Sequence, residues 1–229
     1  MNKRELTLIL GGTKGLGAEL AKACLDKGHE VAIAGSSVSR VGDTDLGTAF
    51  PCDLTDVNRI SEFFKAFEMT YERPPDNFFW VAGRLLKGDL AAQSADEVLK
   101  TIDINFRNAV LVAHHFWSQM INTEQPAKIV VIASSSGVNP RSDEAIYVAT
   151  KHAQVGFARS IGLENDNVNL QVSLFLPGGM QTPFWDKNPQ DNFSDFLDPK
   201  KVADKILELI ETQPLEHCYA EYTIPRGSL

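Results

Sequence analysis

Short runs of uninterrupted apolar residues alternate along the chain with longer stretches in which apolar residues recur every three or four positions. The short runs fall at residues 6–10, 30–34, 48–51, 77–81, 128–133 and 170–176. A strand that is apolar on both of its faces is covered on both, which is the condition of a parallel sheet. The longer stretches, at residues 16–27, 56–67, 95–120, 145–163 and 199–211, carry the period of a helix. Asp198 followed by Pro199 supplies a cap and a first-turn proline for the last of them. A further short strand at residues 222–224 completes the set. Strand followed by helix, repeated, predicts an α/β architecture: a doubly wound parallel sheet of about seven strands with helices on both faces. No repeat and no linker divides the chain, so residues 1–229 are read as one domain. In such a sheet a ligand sits beyond the carboxyl ends of the strands.

Composition narrows the partners. The net charge of −8 argues against a binder of nucleic acid or of an anionic membrane. No apolar run approaches the length that spans a bilayer. The start, MNKRELTLILGGTKG, has two basic residues before an apolar run, but that run is short and ends at glycines without a cleavage site. Cys24, Cys52 and Cys218 are far apart and form no metal-like pair. Cys24 and Cys52 sit among apolar neighbours as small hydrophobes, and a reducing cytoplasm is the expected location.

The first strand runs into GGTKGLG and then directly into a helix. Gly11, Gly15 and Gly17 let the backbone, with Thr13, Lys14 and Leu16 between them, turn sharply and approach a pyrophosphate at the helix N-terminus. A loop in this position predicts a Rossmann-like dinucleotide site. An NAD site usually ends its second strand in an acid that bonds the ribose 2′-hydroxyl. Here that strand ends Ala34, Gly35, Ser36, Ser37, with Arg40 downstream and no acid before Asp43. A carboxylate would repel a 2′-phosphate. Its absence, the two serine hydroxyls, Arg40 and the charge of Lys14 favour NADP (as NADPH) over NAD.

Tyr147 and Lys151 lie four residues apart in YVATK, one above the other on a helix. A phenol beside a positive charge is expected to lose its proton more readily, and so to serve as an acid–base group. From the glycine loop to this pair, the chain resembles the short-chain dehydrogenase/reductase family over essentially its whole length. The resemblance rests on Gly11, Gly15 and Gly17, and on the run Cys52, Asp53, Leu54, Thr55. It continues with Val81, Ala82, Gly83, with Asp103, Ile104, Asn105, and with Ile132, Ala133, Ser134. Tyr147 with Lys151, and Pro177, Gly178 with Thr182, complete it. It implies contacts of Asp53 and Leu54 with adenine, a cofactor site that includes Ala82 and Gly83, and a nicotinamide clamp at Pro177, Gly178 and Thr182. Tyr147 would be general acid or base, and Lys151 would lower its pKa and hold ribose hydroxyls. Ser134 would hydrogen-bond the substrate oxygen, and Asn105 would support Lys151 through a water-linked proton relay. Residues 183–198, rich in aromatics, would be the substrate lid.

The sequence departs from the family pattern at Leu10, which replaces a threonine, at Trp80 and Val81, which replace two asparagines, and at Ala133, which replaces a frequent serine. The expected reaction is interconversion of a small-molecule carbonyl and alcohol by hydride transfer. The alternatives weighed are a non-catalytic NADP-binding regulator that senses redox state, which would not need Ser134, Tyr147, Lys151 and Asn105, and an extended-type sugar epimerase or dehydratase, which would need a longer chain. Arg84, Lys87 and Arg141 are read as solvated charges, and His114 and His115 as packing or interface residues. Phe106, Val110, Phe116, Phe157 and Ile161 exceed what one core face needs. Pairing of these helices into a homodimer or homotetramer is therefore expected.

Overall fold

The structure is a computed structural model, and it describes residues 4–214 and 218–229. Its first strand, β1 (Leu6–Leu10), is buried at every residue. α1 (Gly15–Asp26) and β2 (Glu30–Gly35) follow, then β3 (Gly42–Thr44), β4 (Gly47–Pro51), α2 (Val57–Tyr71) and β5 (Asn77–Trp80). α3 (Ala95–Ile102) passes through a π-helical turn, Asp103–Arg107, into α4 (Asn108–Met120). The remainder is β6 (Ala127–Ile132), α5 (Ala145–Glu164), β7 (Leu170–Pro177), α6 (Pro199–Thr212) and β8 (Tyr219–Ile224).

The eight strands form one sheet in the order β3-β4-β2-β1-β5-β6-β7-β8. Every pairing is parallel except β3 with β4. From β1 the chain winds outward through β2, then returns to β5 on the other side. This is the switch point of a doubly wound sheet, where a crevice opens at the strands' carboxyl ends. Alternate residues of each strand serve opposite faces. Leu8 and Leu10 pack with α2, α4 and α5 residues such as Phe63, Phe116 and Val155. Ile9 packs with α1 and α6 through Leu20, Val202 and Ile206. The strands are therefore apolar throughout, as the pattern required.

Three differences from the sequence reading have physical causes. β3 is a three-residue antiparallel edge strand, Gly-Asp-Thr, exposed at each position, so it has no apolar signature. β8 pairs with β7 from Tyr219 to Ile224, well beyond the expected residues 222–224, and Glu221 and Thr223 in it are exposed. The segment 95–120 is not one regular helix. The π turn interrupts it where Asn105 points inward, fully buried.

Trp80, which stands where the family has an asparagine, is fully buried between Phe106 and Phe157, with ring centres 6.4 and 6.0 Å away. Its indole N–H finds no partner. Stacking thus replaces the amide bonds that an asparagine would make. Of the apolar side chains on which the helix-pairing expectation rests, Phe116 and Ile161 are buried in the core, while Phe106, Val110 and Phe157 are half-buried against it. His115 stacks on Phe64 at 3.8 Å between ring centres, and burial lowers its pKa, which fits a packing role.

Phe116 is the hub of the aromatic cluster, with Phe67 at 5.2 Å and Phe78 at 5.5 Å. Phe116→Ala is expected to cost about 3–5 kcal/mol in a denaturant titration, and Phe116→Leu clearly less, because the cavity left is smaller.

Candidate active site

A cleft of about 970 Å³ opens at the carboxyl ends of β1, β5 and β6. Its floor is the glycine loop. Gly11 has φ 90° and Gly15 φ 55°, values that an L side chain rarely adopts. A Cβ on Gly17 would lie 2.1 Å from the Gly11 carbonyl, so the start of α1 sits directly on the loop. Lys14 caps α1 without a side-chain hydrogen bond, and no acid occupies the first turn. The first-turn amides therefore keep their capacity to bind an anion. These residues fit a dinucleotide pyrophosphate.

Thr13, Lys14, Gly15, Leu16, Gly17 and Ser36 line the cleft, as do Asp53, Leu54, Ala82, Gly83, Pro177, Gly178 and Thr182. Asp53 is held by Thr55, whose amide and hydroxyl both donate to Oδ1, at 2.9 and 2.8 Å. Leu54 is anchored through its carbonyl, which accepts from Asn108 Nδ2 at 2.7 Å. Ser37 and Arg40 are exposed and stand outside the cleft. A Cβ added at Gly35 would meet Thr13 Cγ2 at 2.9 Å, so this strand end is closely packed against the loop.

Ser134, Tyr147 and Lys151 line the opposite wall of the same cleft. Ser134 follows β6, and its Oγ accepts the Ser136 amide at 3.1 Å, which starts a tight turn and fixes the side chain. Tyr147, in the first turn of α5, is buried, with its ring 5.8 Å from that of Phe184. Lys151, one turn on, is also buried. Its Nζ donates to the Ile132 carbonyl at 3.2 Å and to Gln154 Oε1 at 2.7 Å. It lies 5.9 Å from the centre of the Tyr147 ring.

Asn105 does not line the cleft but lies behind it as a bracket. Its Oδ1 accepts the Arg84 amide at 2.7 Å, while Nδ2 donates to the Arg84 carbonyl at 2.9 Å and to Thr150 Oγ1 at 3.0 Å. Thr150 in turn donates to the Tyr147 carbonyl at 2.7 Å. The loop after β5, the π turn and α5 are thereby tied together. Arg84, read from sequence as a solvated charge, is partly buried and paired with Glu97. Gln154 was not among the sequence candidates, and its only local signal is its place three residues after Lys151 on the same helical face.

The electrostatics correct one expectation. Lys151 was expected to pull the Tyr147 phenol below its ordinary pKa. Instead, burial pushes Tyr147 up to about 12, a hydrogen bond with Ser134 working the other way. Burial likewise lowers Lys151 to about 7. Loss of water governs both shifts, and the Lys151 amine is turned toward Gln154 and Ile132. Cys24 and Cys52 are free and buried, and burial pushes each thiol up to about 12, so both act as hydrophobes.

The segment expected to be a lid carries two short 3-10 turns, Pro183–Trp185 and Phe193–Asp195. Trp185 and Phe193 pack on buried Phe196, with ring centres 5.2 and 5.6 Å away. Arg226 covers the Phe196 ring at 4.0 Å. Glu144, at the mouth of the cleft, is raised by burial and lowered again by Arg141, Lys87 and Arg226. Among the described residues, no cluster of His, Cys, Asp or Glu could hold a metal, and no helix is long and apolar enough to cross a membrane.

This cleft, with a glycine loop on one side and Ser134, Tyr147 and Lys151 on the other, is that of a nucleotide-dependent oxidoreductase. A model of the short chain dehydrogenase family matches residues 5–192, and the chain belongs to that family, whose members work with NAD(P). Carbonyl reductase family member 4 of Xenopus laevis is 25% identical over 214 residues, which are 89% of this chain and 90% of that protein. The 3-ketoacyl-(acyl-carrier-protein) reductase of Brucella melitensis, solved with NADH, superposes with a TM-score of 0.84 at 18% identity, covering 98% of each chain. A variant of actinorhodin polyketide ketoreductase, solved with NADPH, gives 0.82 at 22% identity, covering 98% of this chain and 97% of that one.

The buried amine makes stability depend on pH. Lys151 holds its proton to about 7 when folded, against 10.5 for the ordinary amine. Below that window both states are protonated and the cost of burial is full. Within it the unfolded state binds one proton more, so stability rises with pH. Lys151→Met is therefore expected to raise Tm most in mild acid, with the advantage shrinking as pH rises toward 10.5. Thermal scans of both proteins across that range test this, and a constant difference would contradict it.

Proposed function

We propose that the chain is an NADPH-dependent reductase that interconverts a carbonyl and an alcohol, with Tyr147 as general acid in reduction and base in oxidation. The observation that carries this reading is that Ser134 and Tyr147 lie on the cleft wall facing the glycine loop, with Lys151 behind the phenol. The nicotinamide, when bound, supplies or accepts the hydride. Ser134 donates a hydrogen bond to the substrate oxygen and steadies the charge that grows there. Tyr147, protonated at neutral pH because it is buried, gives its proton to that oxygen. Lys151 and the Asn105 bracket hold the phenol in place. Residues 183–198 act as a lid, with Phe184 against Tyr147 to exclude water.

Three measurements test the reaction and its residues. Incubation with NADPH and a panel of ketones, aldehydes and acyl thioesters should consume cofactor with at least one class. On that substrate, Tyr147→Phe should lose a factor of roughly 10² to 10⁴ in turnover with little change in NADPH affinity. Alcohol oxidation should speed up with rising pH as the phenol gives up its proton. Tight NADPH binding without turnover of any class would favour the redox-sensing regulator instead.

NADP preference is supported by the absence of an acid at Gly35, the Ser36 hydroxyl in the cleft and the charge of Lys14. NADPH should bind more tightly than NADH in a fluorescence titration. Gly35→Asp should reverse the order. Gly35→Ala, which meets the same crowding from Thr13 without the charge, should preserve it. Tighter NADH binding by the native protein would refute the assignment.

A further inference from the structure

Gln154 is fully buried in α5, where a leucine would fill the volume without desolvating an amide. Both ends of its carboxamide are used. Oε1 accepts from Lys151 Nζ at 2.7 Å, and Nε2 donates to the backbone carbonyl of Asn105 at 2.8 Å. That carbonyl belongs to the π-helical turn, so the bridge joins the amine to the irregular part of the neighbouring helix. The family resemblance would link Lys151 to Asn105 through water; Gln154 adds a direct side-chain link between them. A carboxamide differs from water in a way that matters: its oxygen only accepts and its nitrogen only donates, so it holds one direction and passes no proton along.

We infer that Gln154 is a positioning residue of the active site, whose carboxamide aims the Lys151 ammonium and governs how firmly that amine keeps its proton.

The surroundings leave this role to few other groups. Tyr147, one turn back on α5, is the titratable side chain beside the amine. β6 presents the Ile132 carbonyl, the π turn presents Asn105, and the loop after β5 presents Gly83, whose added Cβ would lie 3.6 Å from Nζ; none of these carries charge. Further out, Arg84 is paired with Glu97 and Asp103 with Arg107, while Glu144 and Arg141 at the mouth of the cleft act on the Tyr147 phenol, and Lys87 and Arg226 act on Glu144. Lys151 therefore depends on two neutral dipoles, of which Gln154 is the closer.

The test uses two substitutions of similar size. In Gln154→Glu a carboxylate faces the amine; in Gln154→Met the acceptor is gone. The readout is the ¹³C shift of lysine Cε in labelled protein without substrate, with the Lys151 signal assigned by its loss in Lys151→Met. Gln154→Glu should move the titration of Lys151 upward by about one unit or more, and Gln154→Met should move it downward. The kinetic half rests on the proposed reductase activity: the pH limb of kcat/KM should follow the same two displacements, while the KM for NADPH changes little. A purely packing role would lower thermal stability in both variants and leave the Lys151 titration in place, which would overturn the inference. If neither variant folds, native protein labelled with ¹⁵N-glutamine decides. The Gln154 carboxamide signal must shift as Lys151 titrates, and indifference to that titration would equally overturn it. The NMR arm needs no turnover, so failure of the reductase reading and failure of this inference remain distinguishable.

Discussion

The constraint on which the rest of the site depends is an amine removed from water. Lys151 is only 4% exposed, in a region that would expel its charge unless dipoles were arranged to meet it. Two are: the carbonyl at the end of β6 and the carboxamide of Gln154. Each has further requirements. The β6 carbonyl is in place because the strand runs parallel between β5 and β7, with its end held in register. The carboxamide is in place because the π turn offers it a second partner, and Asn105 fixes that turn to the loop after β5. The geometry around Tyr147 thus descends from the problem of holding one cation. The two apolar layers flanking the sheet offset what that cation costs.

This view also explains why the phenol is not acidified. A positive charge lowers a neighbour's pKa only where the charge itself is retained, and desolvation opposes it by penalising the ionised form of both groups. Here burial acts on both groups at once, driving the phenol up and the amine down. The phenol therefore keeps its proton at neutral pH.

Much of this was legible in the sequence because it is local. Apolar strands, the spacing of Gly11, Gly15 and Gly17, and the four-residue step from Tyr147 to Lys151 all fall within a few residues of one another. What could not be read depends on distance along the chain or on solvent. Gln154 stands in Ala153-Gln154-Val155 like any polar residue on a helix, and its partner Asn105 is 49 positions away. β3 has no apolar residue to reveal it. The π turn leaves the apolar recurrence through Ile102, Phe106 and Val110 looking regular, so residues 95–120 read as one helix. Ser37 and Arg40 have the right chemistry for a phosphate, and both are exposed just beyond the cleft lining. The direction of the Tyr147 shift was missed because spacing reports who is near, not how much water is lost.

The π turn has one more consequence, for the tolerance of the chain to changes in length. A turn of this kind holds one residue more than the regular helix would, and that residue sets the phase between α3 and α4. On one side of it Thr101 faces the interior, and on the other Asn108, Val112 and Phe116 do. Deleting any single residue from Asp103–Arg107 would give a smoother helix and rotate one half against the other by about 100°. Either the aromatic hub would leave the core, or Asn105 would leave the loop it holds. Insertions and deletions in relatives should therefore avoid this segment and collect in the β3–β4 hairpin, where exposed residues have no such phase to keep.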